Sequence, residues 1–244
     1  MSGHSHWATV KRGKEAEDKK RGKIFSKLSR VISVAAKEGE DPETNSKLRI
    51  AVEQAKTANM PKDNIERAIK RGTGELEGEK LEEVTFESFG PGGIAIIIEG
   101  ITDNRNRTLG EIKQILSQNN GKMANEGSVR WSFDKKGAIT LNLNSQDENF
   151  KDKESLELTV IEAGADDIYW DEDTILDVYT KPENLEKVKK TLEEKGIKIE
   201  SSSLGWVAKE MIKIDEKEKE AAEKLFEALD ENDSVQDIYS NLKV

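Results

Sequence analysis

The sequence predicts an α+β protein of three domains. Three observations predict it. Between Ile24 and Ile69 the apolar residues recur at helical spacing alone. At Val84 the period shortens to that of strands, and strand and helix patterns then alternate to the end of the chain. Inside this second part, one run has the order strand, helix, strand, strand, helix, strand, the split βαβ order of a ferredoxin-like domain.

The first helix carries Ile24, Phe25, Leu28, Val31, Ile32 and Ala35 on one face. Lys19, Lys23, Lys27, Arg30 and Lys37 gather on the other, with Ser26, Ser29 and Ser33 between. Gly39-Glu40-Asp41-Pro42 is a turn. A second helix spans about 44–59, with Leu48, Ala51, Val52, Ala55 and Ala58 inward. Pro61 suits the first turn of a third helix, where a missing N–H costs nothing. Ile65, Ala68 and Ile69 give that helix its apolar face, and Gly72-Thr73-Gly74 ends it. Three amphipathic helices on short connections make a small bundle, and 75–83 is a polar linker.

Strands are expected at 84–89 and 94–101, joined by the turn Gly90-Pro91-Gly92-Gly93. A helix starts near Asn104, Asn106 or Thr108, any of which can cap it, and runs through Leu109, Ile112, Ile115 and Leu116. Residues 121–127 form a loop and 128–133 a strand. The ferredoxin-like run follows as strand 138–143, helix 153–163, strands 166–170 and 174–180, helix 182–195 and strand 197–203. A strand at 206–212, a helix at 215–229 and a strand at 235–239 close the chain. The economical division is a helical basic domain, 1–78; a discontinuous α+β domain, 79–134 with 206–244; and an inserted ferredoxin-like domain, 135–205. Two consecutive α+β domains are the rival division.

Charge is distributed unevenly. The first 37 residues hold ten Lys or Arg against three acids, a local +7. Residues 38–72 balance at seven each, whereas 73–244 hold 22 basic and 39 acidic residues, a local −17 in a protein of net −10. A polyanion-binding surface is therefore expected at the N-terminus. The candidate phosphate contacts are Lys11, Arg12, Lys14, Lys19, Lys20, Arg21, Lys23, Lys27 and Arg30, together with Arg105 and Arg107 on the strand-to-helix loop 102–108. The bland alternatives are a solvated helix face for the first group, and pairing with the protein's own acids for the two arginines. Trp7 can stack on a base or pin the arm to its own domain.

Other chemistries find little support. The chain has no cysteine, which excludes disulfides, thiolate catalysis and Cys-based zinc sites. His4 and His6, the only histidines, lack a third metal ligand in view. The glycine-rich turn at 90–93 leads into a strand, not a helix N-terminus that would hold a phosphate. A nuclease built on the acidic stretch Asp166, Asp167, Asp171, Glu172 and Asp173 lacks a neighbouring Lys or His base. No signal peptide or membrane span is read, so the expectation is a cytoplasmic, non-enzymatic protein without cofactor.

The segments GHSHW, KRGKIFSKLSR, NMPKDNIERAIKRGTGE, GPGG, TDNRNRT and NEGSVRW, matching in order, resemble the YebC family nearly end to end. That family's bacterial members are described as probable transcriptional regulators, and a mitochondrial relative activates translation of cytochrome c oxidase. The resemblance implies three domains and a cytoplasmic, non-enzymatic nucleic-acid-binding protein. The partner it implies is promoter DNA or, alternatively, ribosomal RNA with ribosomal proteins, in a factor helping elongation through stretches such as consecutive prolines. The chain departs from the family at His6, where Lys is usual, which makes a permanent cation titratable. It also lacks a histidine often present in the basic run after Trp7.

Overall fold

The computed structural model describes residues 19–171 and 173–243. Three helices come first: α1 (Lys19–Ala35), α2 (Ser46–Thr57) and α3 (Lys62–Thr73). Their inward faces are those of the periodic pattern, with Leu28, Ile32, Leu48, Ala51, Ala55, Ile65 and Ala68 in one buried cluster. Asn45 joins two of them. Its side-chain oxygen caps α2 by accepting the N–H of Leu48 at 3.1 Å, while its amide donates to the carbonyls of Ala35 and Gly39 at 2.8 Å. Gly74, at φ 84°, is the left-handed residue that ends α3. Gly72 has a different task inside the helix. A Cβ there would lie 2.2 Å from the Ser33 carbonyl oxygen, so α1 and α3 cross at backbone contact. The Ser33 hydroxyl secures the crossing by donating to the Ala68 carbonyl at 2.8 Å.

The rest of the chain runs β1 (Glu82–Phe89), β2 (Ala95–Thr102), α4 (Arg105–Gln118), β3 (Lys122–Met123), β4 (Phe133–Asn142), α5 (Lys153–Glu162), β5 (Asp167–Asp171), β6 (Ile175–Thr180), α6 (Leu185–Glu194), β7 (Ile199–Ala208), α7 (Glu216–Asp230) and β8 (Val235–Ser240). The strands form two antiparallel sheets of order β3-β1-β2-β8 and β5-β6-β4-β7. The second has the ferredoxin-like arrangement, with Leu156, Val160, Val188 and Leu192 of its two helices packed on Ile139, Leu141, Leu176 and Val178. In the first, Ile112 and Leu116 of α4 and Leu225, Phe226 and Leu229 of α7 cover Val84, Phe86, Ile96 and Ile98. Ile97 points the other way, onto Val129, Phe133 and Tyr239. Burial on both faces is why β2 reads as an uninterrupted apolar run. The final strand, β8, returns to pair with β2 from Ile96↔Ser240 to Gly100↔Val235 and completes the first sheet.

Two expected strands are corrected. Residues 128–132 are not a strand: Arg130–Ser132 is a 3₁₀ turn, Phe133 already begins β4, and the edge pairing falls instead to Lys122 and Met123. The cause is Glu87, a buried carboxylate on β1. It accepts the N–H groups of Gly127 at 2.8 Å, Val129 at 2.6 Å and Arg130 at 2.9 Å, so those donors are not available to a ladder. The strands expected at 197–203 and 206–212 are one strand, β7, which pairs with β4 from Phe133↔Ala208 to Leu141↔Ile199. Beyond it, only a single bridge, Ile212↔Leu242, survives. β4 and β7 thus run unbroken through positions 135 and 205 as a ribbon linking the two sheets, and Phe133, Trp206 and Ala208 at its near end pack on the first sheet.

Gly72→Ala should destabilise the protein by about 1–3 kcal/mol in urea denaturation, because the helices must separate to admit a methyl group. Gly22→Ala on the same bundle should be neutral or stabilising, since nothing lies within 4 Å of its added Cβ. Burial alone would raise the pKa of Glu87, yet the three N–H donors and Arg130 outweigh it and hold the carboxyl below its ordinary value. Its stabilisation is therefore complete above the ordinary carboxylate range and is lost as pH falls through the lowered value. Glu87→Gln should cost about 1–3 kcal/mol at neutral pH. The gap to the wild type should narrow when unfolding is measured at pH below about 4.

Candidate nucleic-acid interface

The polar face of α1 meets the C-terminal end of α7. Lys27 is only 3% exposed, and its Nζ donates to the Asp230 carboxylate at 2.9 Å and to the Asp230 carbonyl at 3.0 Å. Arg30 donates to the carbonyls of Ile101 at 3.2 Å and Asp233 at 3.1 Å. Lys23 lies 3.9 Å from Glu231, and Lys37 donates to the Leu81 carbonyl. A helix C-terminus carries partial negative charge, here reinforced by Asp230 and Glu231, and cations are stabilised against it. The expectation that Lys27 faces solvent as part of a phosphate-gripping stripe is corrected accordingly, while Arg30 is half-buried. Both are committed to holding the helical unit on the first sheet's layer.

A second cationic grouping lies on the same bundle. A cleft of about 550 Å³ opens between α1, α3 and the connection to β1, lined by Arg30, Lys37, Asn64, Arg67 and Arg71, with Glu77 and Glu79 on the connection side. Arg67, Lys70 and Arg71 are exposed on α3 at spacings of three and four, which puts them on one face. None of the three has an ion-pair partner among the described residues. The signal was present in the chain, as a basic triplet opposite Ile65 and Ala68. It was masked by the balanced net charge of residues 38–72, to which α3 itself contributes Asp63 and Glu66, the latter 3.4 Å from Lys62.

The remaining candidates divide. Lys11, Arg12 and Lys14, with His4, His6 and Trp7, lie outside the described residues, and Lys19 and Lys20 fall in the first turn of α1. Arg21 is exposed. Arg107 pairs with Asp103 and lies 3.7 Å from Glu111, whereas Arg105, the first residue of α4 behind the Asn104 cap, is exposed. Asp103 holds its carboxyl below the ordinary value through its hydrogen bond from Arg107. At the acidic hairpin Lys153 reaches Asp173 at 2.6 Å and lies 4.8 Å from the Trp170 ring, so one carboxylate is internally neutralised; Glu172 is outside the described residues. Among the described residues, no group of three His, Cys, Asp or Glu is placed to hold a metal, and no helix is long and apolar enough to cross a membrane.

Comparison with known proteins gives this arrangement a context. Residues 5–75 match the TACO1/YebC protein N-terminal domain, and residues 81–242 match the TACO1/YebC second and third domain. The chain belongs to the TACO1/YebC family. Relatives named probable transcriptional regulatory protein include those of Halothermothrix orenii, 48% identical over 100% of this chain and 96% of that protein, and Geobacter sulfurreducens, 48% identical with the same coverage. A third, from Caldanaerobacter subterraneus, is 47% identical over 100% of this chain and 99% of its own length. A crystal structure of a conserved hypothetical protein from Aquifex aeolicus superposes with a TM-score of 0.85 at 43% identity, covering 94% of this chain and 93% of that one. The α+β architecture read from the sequence is thus that of the family.

Removing one partner of a buried ion pair leaves the other charge stranded. Asp230→Ala should cost about 3–5 kcal/mol in equilibrium unfolding, and the double variant Lys27→Met with Asp230→Leu much less. A stability loss as large in the double variant as in the single would show that the pair does not hold the interface.

Proposed function

We propose that this chain is a nucleic-acid-binding regulator of gene expression, a transcriptional regulator engaging DNA through its basic N-terminal helical unit. One observation carries the reading: Arg67, Lys70 and Arg71 stand exposed beside a cleft, without an ion-pair partner among the described residues, on the least acidic part of a protein of net −10. The basic stretch Lys11, Arg12 and Lys14, with Lys19, Lys20 and Arg21, lies before the triplet in sequence and adds to the positive charge of this part of the chain. Phosphates docked there would exchange counterions for these side chains, which ties affinity to salt. Lys23, Lys27 and Arg30 serve this function indirectly, by fixing the unit in place.

A second reading is favoured by the charge of everything beyond residue 72. A body of −17 is repelled along a long duplex, whereas a compact basic unit can enter a folded RNA while the acidic layers stay outside. In that reading the partner is the ribosome, and the protein assists translation.

Charge reversal at Arg67, Lys70 and Arg71 should abolish binding at moderate salt, leave thermal unfolding unchanged, and lower the slope of log affinity against log salt by about 2–3. Wild-type binding in that variant rejects the interface. Gel shifts on promoter and random duplexes, run beside co-sedimentation with ribosomes at the same salt, separate the two readings. Promoter preference supports the first; ribosome binding lost in the variant, without preference on DNA, supports the second.

A further inference from the structure

Trp131 is 72% exposed, the most exposed large apolar side chain among the described residues. It does not project from a slack loop. Its indole N–H donates to the Ser128 carbonyl at 2.9 Å, which restrains the ring. The Ser132 hydroxyl donates to the Val129 carbonyl at 2.7 Å, and Val129 is itself buried against Ile97 and Phe133. Beneath the loop, the Glu87 carboxylate binds three consecutive-region N–H groups. The protein thus commits a buried charge and a set of backbone hydrogen bonds to holding a tryptophan ring in water.

Arg130, its neighbour in the chain, shares a second ring, Trp206, with Lys135. Arg130 and Lys135 each lie 5.4 Å from the centroid of the Trp206 ring, and their side chains are 44% and 49% exposed. Trp206 donates its own N–H to Glu99 at 2.8 Å, which fixes the ring on which both cations rest. With its N–H already used, Trp131 offers a partner only its π-face. A restrained π-face with a half-exposed arginine as its chain neighbour matches the two parts of a nucleotide, a flat base and a phosphate.

We infer that Trp131 is a stacking platform for one unpaired base of a single-stranded or looped nucleic acid, with its chain neighbour Arg130 facing the adjoining phosphate. The inference rests on the nucleic-acid reading above and adds a second contact point, on the connection between the two sheets. It also states a preference: the platform is useless to a fully paired duplex, whose bases are already stacked. Because the ring is restrained before binding, little side-chain entropy is lost when a base lands on it.

The test uses the full chain and two RNAs with the same stem, one closed by an unpaired uridine loop and one a blunt duplex. Trp131→Ala should weaken binding to the looped RNA by about tenfold or more and change duplex binding by less than about twofold. Trp131→Phe, which keeps a smaller aromatic face, should recover part of the loss. Equal loss on both RNAs, or no loss on either, overturns the platform. If the wild type binds the RNAs and charge reversal on α3 abolishes that binding while Trp131→Ala does not weaken it, the platform falls and the nucleic-acid reading stands. If the wild type binds neither RNA nor DNA at low salt, both fall.

Discussion

The Lys27–Asp230 pair is the contact on which the arrangement of the molecule depends. It joins the first described helix to the last one in the chain, across 203 residues of sequence, and it is buried. An isolated ammonium at that depth would be untenable, so Lys27 requires both oxygens it reaches, the Asp230 carboxylate and carbonyl. Arg30 and Lys23 extend the attachment to Asp233 and Glu231 around the same helix end. On the other side of the bundle Arg49 meets Glu186 at 2.8 Å and Glu53 meets Lys189 at 2.6 Å, so the helical unit is tied by charge to the ferredoxin-like layer as well. These outer pairs are partly exposed, contribute less, and weaken with salt.

This use of charge changes how the polarity of the chain is understood. A basic end and an acidic remainder satisfy each other first within the molecule. Among the described residues, the triplet on α3 is a part of the bundle's positive charge left without an ion-pair partner. The triplet lies on a rigid body, since Gly72 and Ser33 lock α3 to α1, and α1 is fixed to α7. A partner docking there meets side chains whose backbone does not have to be ordered first.

The Glu87 loop follows the same logic at a smaller scale. A carboxylate sunk into the first sheet's second face replaces a strand with a shaped turn, and the turn carries Arg130 and Trp131 outward. Next to it the continuous ribbon of β4 and β7 joins the sheets without a flexible linker. A ladder of paired backbone groups resists bending, so the loop and both sheets keep a fixed relation to one another.

Much of the fold was legible locally. The inward faces of the three helices, the βαββαβ order and the both-sided burial of β2 each follow from the spacing of apolar residues, because burial acts on every turn or pleat of an element in the same way. The Asn104 cap, the end of α3 at Gly74 and the hairpin at 90–93 follow from side-chain chemistry within four residues. Three things were not legible, each for the same reason. That Lys27 is a buried tie and not a phosphate contact depends on Asp230; that 128–132 is a turn depends on Glu87; that the triplet on α3 is left without an ion-pair partner among the described residues depends on where every acid of the bundle ends up. A charged side chain has no periodicity that reveals its partner. Its role is set by what lies within about 4 Å in space, and that distance exists only once the chain has folded.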